Sequence, residues 1–393
     1  MESTYLKNYD GPALRIMEVC GTHTAAIFKS GIRSFLSPKI RLVSGPGCPV
    51  CVTVSSYIDH CIEICFTQGH ELVCFGDLLK VPGAVRTLSD AKGAGGRVRM
   101  VWSPFDALTL AERDPKTKFV IAAIGFETTA PAFGLLLEEA EARGIGNIKL
   151  LTSLKSALAA IDWICESGEA IDAFICPGHV SVITGSDAYI PLAEKYGKPF
   201  IVAGFEAEHL LKAIKAATED ASEGRGGMRN LYTEAVSEKG NQKALDMIDK
   251  YFKLDNAEWR GLGTVAGSGY YLDEEYRAYD MDCFVAANAA PRNDKAQDNG
   301  QDNGDLQTIW DVPCVLRDED NKTQGKTQGT SHIVCKTQGT SHIVCKCGDV
   351  ILGRIDPDEC HLFGKECTPI KPVGPCMVSA EGACGTWYSN RGN

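Results

Sequence analysis

Positive charge is in short supply. The 393-residue chain carries 40 Lys and Arg against 51 Asp and Glu, a formal charge of −11, and no long Lys/Arg block interrupts that balance. Recognition of a nucleic-acid backbone needs a positive footprint, so DNA or RNA is excluded as the main partner. Long hydrophobic runs are missing too, and no stretch of about 18 apolar residues offers a membrane span. The opening Met1-Glu-Ser-Thr-Tyr-Leu-Lys7 lacks the basic start and apolar run of a secretory leader, which makes the cytoplasm the expected location. There is no G-x-G-x-x-G dinucleotide turn, and Gly93-Ala-Gly-Gly96 is not followed by the Lys-Ser/Thr of a P-loop.

Cysteine, by contrast, is plentiful at 17 residues. A disulfide scaffold is disfavoured by the odd count and by a composition, 44% hydrophobic, that can bury sizeable cores. Many of these thiols can serve as small buried hydrophobes, and Cys61 and Cys65, one turn apart on an apolar helix face, read that way. Others sit where packing alone does not explain them. Ser44-Gly-Pro-Gly-Cys-Pro-Val-Cys51 follows the apolar run Ile40–Val43 and precedes a helix. Its glycines and prolines fix a tight turn. The spacing of Cys48 and Cys51 lets two sulfurs pair as a dithiol or disulfide, or share a metal. Two buried, unreactive cysteines are the alternative. Cys20 and His23, in Cys20-Gly-Thr-His-Thr24, fall at the start of another helix, where a thiolate or anion is favoured.

The middle of the chain alternates apolar runs, glycine-containing turns and helices. Glu71–Phe75, Val98–Trp102, Lys118–Gly125, Ile148–Leu151, Ile171–Cys176 and Phe200–Ala203 read as strands. Such an order predicts an α/β fold with parallel sheets and functional groups at the carboxyl edges of strands. Glu127 and Thr128 follow one strand and either line a cleft or cap a helix. His179, in Cys176-Pro-Gly-His179, follows another and is either functional or a structural hydrogen-bonding residue. Residues 241–254 read as a helix, and Gly261–Gly269 as a loop. Residues 291–308 are polar and read as an exposed stretch. Lys326–Cys335 and Lys336–Cys345 are identical ten-residue copies, read as a recent insertion or a sequence-assembly error in preference to a second metal site; two such short units do not make a solenoid.

The last sixty residues bring cysteine back beside Gly and Pro. Intervals of 13, 7 and 9 separate Cys347, Cys360, Cys367 and Cys376. Zinc sites commonly use short C-x-x-C knuckles, whereas these longer loops suit a broader object such as an iron–sulfur cluster. From spacing alone a cluster, a zinc ion and buried packing all remain open.

Several uncommon motifs then occur in one order: Cys20-Gly-Thr-His-Thr24, Gly45-Pro-Gly-Cys-Pro-Val-Cys51, Gly125-Phe-Glu-Thr-Thr-Ala-Pro131, Cys176-Pro-Gly-His179, Gly204-Phe-Glu206 and the ending from Cys347-Gly-Asp to Glu381-Gly-Ala-Cys384. In these the chain resembles the HypD family of hydrogenase maturation proteins over nearly its whole length, apart from the tandem copy and its polar approach. The resemblance implies two α/β domains around a cleft plus a C-terminal cysteine-rich iron–sulfur domain. It implies a role in building the Fe(CN)2CO centre of nickel–iron hydrogenases, with a small HypC-family chaperone and cyanide made by HypE and HypF partners. Carried over, Cys20, Cys48 and Cys51 face the assembly cleft with His23 beside them, and Cys20 and Cys51 are candidate iron ligands. Cys347, Cys360, Cys367 and Cys376 hold a [4Fe-4S] cluster. His23 either donates a hydrogen bond to a bound cyanide or orients Cys20.

The expected boundaries are a segment 1–37 with the first cleft motif, α/β domains at 38–117 and 118–215, and an iron–sulfur domain at 216–393 with a polar, partly duplicated insertion near 291–346. Two departures from the family stand out: Cys345 competes with Cys347 two residues away, and Thr264–Gly269 differs from the usual Ile-Pro-x-Ser-Gly form. The alternatives are a cytosolic thiol–disulfide oxidoreductase with a structural metal or cluster, and a purely structural iron–sulfur adaptor.

Overall fold

The structure is a computed structural model describing residues 2–281 and 345–390. The polar stretch 291–308, and the tandem copy as far as residue 344 with its Cys335, lie outside the described residues.

Among the described residues, eleven strands form two sheets: β1 (Leu14–Glu18), β2 (Ile40–Ser44), β3 (His70–Cys74), β4 (Val98–Met100), β5 (Lys118–Gly125), β6 (Ile148–Lys155), β7 (Ala173–Cys176), β8 (Pro199–Val202), β9 (Gly227–Asn230), β10 (Phe252–Trp259) and β11 (Gly263–Leu272). The first sheet, ordered β2-β1-β7-β8-β9, is parallel throughout. The second is ordered β10-β11-β6-β5-β3-β4; its β3–β6 portion is parallel, and the hairpin β10–β11 adds antiparallel strands beside β6.

That hairpin corrects two sequence expectations. The helix read over 241–254 ends at Tyr251, and Phe252 opens β10 with its ring buried. The loop read over Gly261–Gly269 is a two-glycine turn running into β11, with Gly261 and Gly263 at φ +87° and +80°. Inside it, Trp259 Nε1 donates to Ser268 Oγ at 2.8 Å, satisfying a fully buried indole.

Period-two patterning explains why the strands read as apolar runs: both faces are buried. In β7, Ala173 and Ile175 enter one core, while Phe174 and Cys176 enter another. β5 behaves the same way, with Val120, Ala122 and Ile124 on one side and Phe119, Ile121 and Ala123 on the other. The inner residues of both sheets belong to one continuous core, which also takes in Cys347, Cys367, Cys376 and Cys384. The fold is therefore α/β with two sheets and a C-terminal cysteine group packed against them. The chain passes back and forth between the sheets, and the expected boundary between residues 117 and 118 falls inside the second sheet, where β5 pairs with β3. Among the described residues no helix is long and apolar enough to cross a membrane.

Candidate functional site

In the first sheet the connections run outward in opposite directions from β1 and β7. The relative strand order is 2-1-3-4-5, which makes the carboxyl edge between those two neighbours a topological switch point, where open α/β sheets bind ligands. The sequence motifs gather at this edge. Cys20 follows β1 and is the N-cap of the helix Gly21–Lys29, its backbone extended at φ −147° and ψ 123°. Burial pushes its thiol above the ordinary cysteine range, opposed by the backbone N–H groups of His23 and Thr22.

The turn after β2 is locked to this loop. Gly45 N donates to Glu18 O at 2.8 Å. A Cβ on Gly47 would fall 2.6 Å from Cys20 Cα, so only glycine allows the two backbones to approach this closely. Cys48 then caps a single helical turn, Pro49–Val52, accepting from Cys51 N through its sulfur at 3.2 Å. Cys48 and Cys51 are joined as a disulfide with Cα atoms 5.2 Å apart, inside the span that permits such a bond. Cys51 Sγ lies 3.9 Å from Pro375 O, next to Cys376.

His23 is fully buried. Its Nε2 donates to Ala203 O at 3.2 Å, because a carbonyl can only accept, which leaves Nδ1 as an acceptor without a partner. Burial lowers its pKa to about 4, so the ring is neutral. Its one donor is committed to the backbone after β8. The His23 ring lies 4.8 Å from that of Phe205, and the exposed His179 stacks on the same ring at 4.2 Å. The Gly-Thr-His, Pro-Gly-His and Gly-Phe-Glu turns thus meet around Phe205, whose part as a shared platform the sequence did not reveal.

Glu127 serves the second sheet. Its carboxylate accepts from Ser156 Oγ at 2.8 Å and from Ala157 N at 3.0 Å, capping the helix Ala157–Glu166. Burial raises its pKa. Of the two readings for Glu127, helix capping is the one seen; Thr128 is exposed. Cys61 and Cys65 are buried in the core, and Cys65 Sγ donates to Cys61 O at 3.0 Å.

The C-terminal segment carries six thiols. Cys345, Cys347, Cys360, Cys367 and Cys384 line one small cavity with Leu362 and Phe363. Cys376 is fully buried and absent from that lining, but its thiol contacts that of Cys347. Cys345 Sγ and Cys347 Sγ are 2.9 Å apart, and Gly374 packs against both sulfurs. Cys367 Sγ accepts from Val373 N at 3.3 Å. The Cys347 contact and burial hold the Cys345 thiol well above its ordinary value, and burial does the same to Cys384. Among the described residues, no three His, Cys, Asp or Glu side chains are grouped so as to hold a metal ion. Thr22 Oγ1 donates to Glu381 at 3.1 Å and Phe28 meets Trp387 edge-on, fastening this segment to the Cys20 helix.

Fold and site together define a cysteine-centred α/β protein, with a disulfide turn at a parallel-sheet edge set against a separate group of thiols. The family model for HypD, described as the hydrogenase formation hypA family, matches residues 3–306 and 306–391. The hydrogenase maturation factor HypD of Azotobacter vinelandii is 36% identical over 383 residues, covering 95% of this chain and 89% of that protein. Those of Rhodobacter capsulatus and Escherichia coli K12 are each 36% identical, covering 96% of this chain and 90% and 89% of their own lengths. The chain belongs to the HypD family.

Proposed function

We propose that this chain acts in nickel–iron hydrogenase maturation, as a scaffold and redox-active factor on which the Fe(CN)2CO centre is assembled. The observation that carries this reading is the meeting of three stretches at one edge: Gly47 against Cys20, and Cys51 against Pro375. Cargo iron bearing cyanide and carbonyl still needs protein donors, and thiolates are suitable soft ligands. Cys20 and Cys51 are assigned that task. The Cys48–Cys51 disulfide must first take up two electrons and two protons to yield two thiols, so binding iron and storing electrons are linked at this turn. His23, with its donor held by Ala203, is a positioning residue for the Cys20 loop rather than a donor to cyanide.

A [4Fe-4S] cluster held by Cys347, Cys360, Cys367 and Cys376 belongs to the same proposal. The donor set suits it: thiols spread around an apolar cavity, with three of these four on its wall and Cys376 adjoining Cys347. Such a cluster supplies one-electron transfer. The partners in this reading are a small HypC-family chaperone and the HypE-family cyanide donor, in the cytoplasm. The disulfide itself favours a second reading, a thiol–disulfide oxidoreductase with a structural metal or cluster.

Infrared spectroscopy of the anaerobically isolated complex with the small chaperone separates the two. Cyanide and carbonyl bands are expected from the wild type. Cys20→Ala and Cys51→Ala should lose the bands and hydrogenase maturation while keeping the fold and the iron of the C-terminal segment. Full maturation and undiminished bands in both variants would make these cysteines structural and overturn the assembly role.

A further inference from the structure

A second cavity, of about 300 Å³, lies behind the disulfide turn. Val54, three residues beyond Cys51, forms part of its wall, together with His60, Ser153, Lys155, Glu258 and Tyr270. Thr53 Oγ1 lies 3.5 Å from Ser153 Oγ, so the turn and the cavity share a polar contact. The site owes nothing to the thiols, and the maturation reading does not absorb it.

Its unusual member is Lys155, the last residue of β6. The residue is only 3% exposed. A buried ammonium is costly unless opposite charge and hydrogen bonds compensate it. Among the described residues, the acceptor facing Nζ is the Glu258 carbonyl at 2.7 Å, and the Trp259 ring centroid lies 5.3 Å away. A carbonyl dipole and a ring face stabilise a cation without neutralising it. The consequence is visible in the group itself: burial lowers its pKa to about 8, with the Glu258 carboxylate opposing. That carboxylate belongs to an exposed residue, where solvent screens it.

We propose that this cavity binds a small oxyanion, a carboxylate or a phosphate, whose charge completes the compensation of Lys155. The volume lies at the small end of ligand pockets. Its one buried full charge is positive, which disfavours a cation, and the hydroxyl-bearing Thr152 and Ser153 on the same wall disfavour a wholly apolar guest. Glu258, at the rim, weakens the attraction and sets it low enough for release.

The test titrates inorganic phosphate and, separately, acetate into the full-length protein at constant ionic strength. It follows the thermal unfolding midpoint and phosphorus or carbon NMR line widths, with chloride as the control. At least one oxyanion should raise the midpoint beyond chloride, and the larger response tells phosphate from carboxylate. Lys155→Gln should weaken binding by roughly tenfold or more, Lys155→Arg should retain it, and Glu258→Gln should tighten it. If Lys155→Gln fails to fold, the Arg and Glu258 variants decide the matter in the same titration. An oxyanion response equal to that of chloride, or one unmoved by the variants, leaves an adventitious ion only and overturns the proposal.

Discussion

At the scale of single residues, the environment supplied by distant segments decides what each motif side chain does. His23 stands three positions from Cys20, and from the sequence it was either a donor to a bound cyanide or a residue orienting Cys20. The atom that accepts its hydrogen bond, Ala203 O, is 180 residues away in sequence, beyond the reach of any local pattern. Its burial has a measurable consequence. The folded ring titrates at about 4 against an ordinary value of 6.5. As pH falls from 6.5 to 4 the unfolded chain gains a proton that the folded chain refuses, so stability falls through that window. Between pH 7 and pH 5 this residue should cost about 2 kcal/mol. Urea unfolding at the two pH values should show His23→Gln losing about that much less than the wild type. Equal losses would mean that His23 is not held neutral. Glu127 teaches the same lesson: its strand-end position was legible, but its partners Ser156 and Ala157 come from the next strand–helix connection.

At the scale of elements, the turn Gly45–Cys51 was legible because glycine, proline and the two-residue gap between cysteines act locally. The geometry of the C-terminal thiols was not. The family resemblance implied Cys347 as a ligand and left Cys345 as a competitor; the structure puts their sulfurs 2.9 Å apart. In a [4Fe-4S] cluster each terminal thiolate binds its own iron and points away from the others. The proposed cluster takes one thiolate from this pair, and Cys345 lies close enough to Cys347 to serve in its place. On the proposed cluster assignment, anaerobic iron and sulfide analysis should give about four of each per chain for the wild type, for Cys345→Ala and for Cys347→Ala. The double variant should lose most of both. Loss in Cys347→Ala alone would show that Cys345 cannot substitute, and loss in Cys345→Ala alone would exchange their roles. Zinc without labile sulfide in the wild type would remove the cluster itself. Cys384, on the cavity wall, should prove dispensable for iron content, since the other loops already supply four positions.

At the scale of the whole molecule, most strands were legible because burial on both faces leaves continuous apolar runs such as Lys118–Gly125. Their allotment to sheets was not, because parallel pairing is made between segments far apart in sequence. Both sheets repeat one relative order in their first four strands: β2-β1-β7-β8 in one, and β4-β3-β5-β6 in the other. Gly125-Phe-Glu127 and Gly204-Phe-Glu206 are identical tripeptides that do not follow this correspondence, since the first follows the third strand of its series and the second follows the fourth. The chain makes β1 and β2, leaves for β3–β6, returns for β7–β9 and leaves again for β10 and β11. Phe174 stands near the middle of this arrangement. It is stacked on Phe200 at 4.9 Å, in the core shared with Val120 and Ile124 of the second sheet and with Cys376. Phe174→Ala should therefore cost about 3–5 kcal/mol, and the loss should not stay within its own sheet. Native-state hydrogen exchange is expected to accelerate together for the amides of β8 and β5, because a cavity in the common core destabilises both. Acceleration confined to β7–β9 would mean that the sheets open independently, and that the shared core does not couple the Cys20 edge to the rest of the protein.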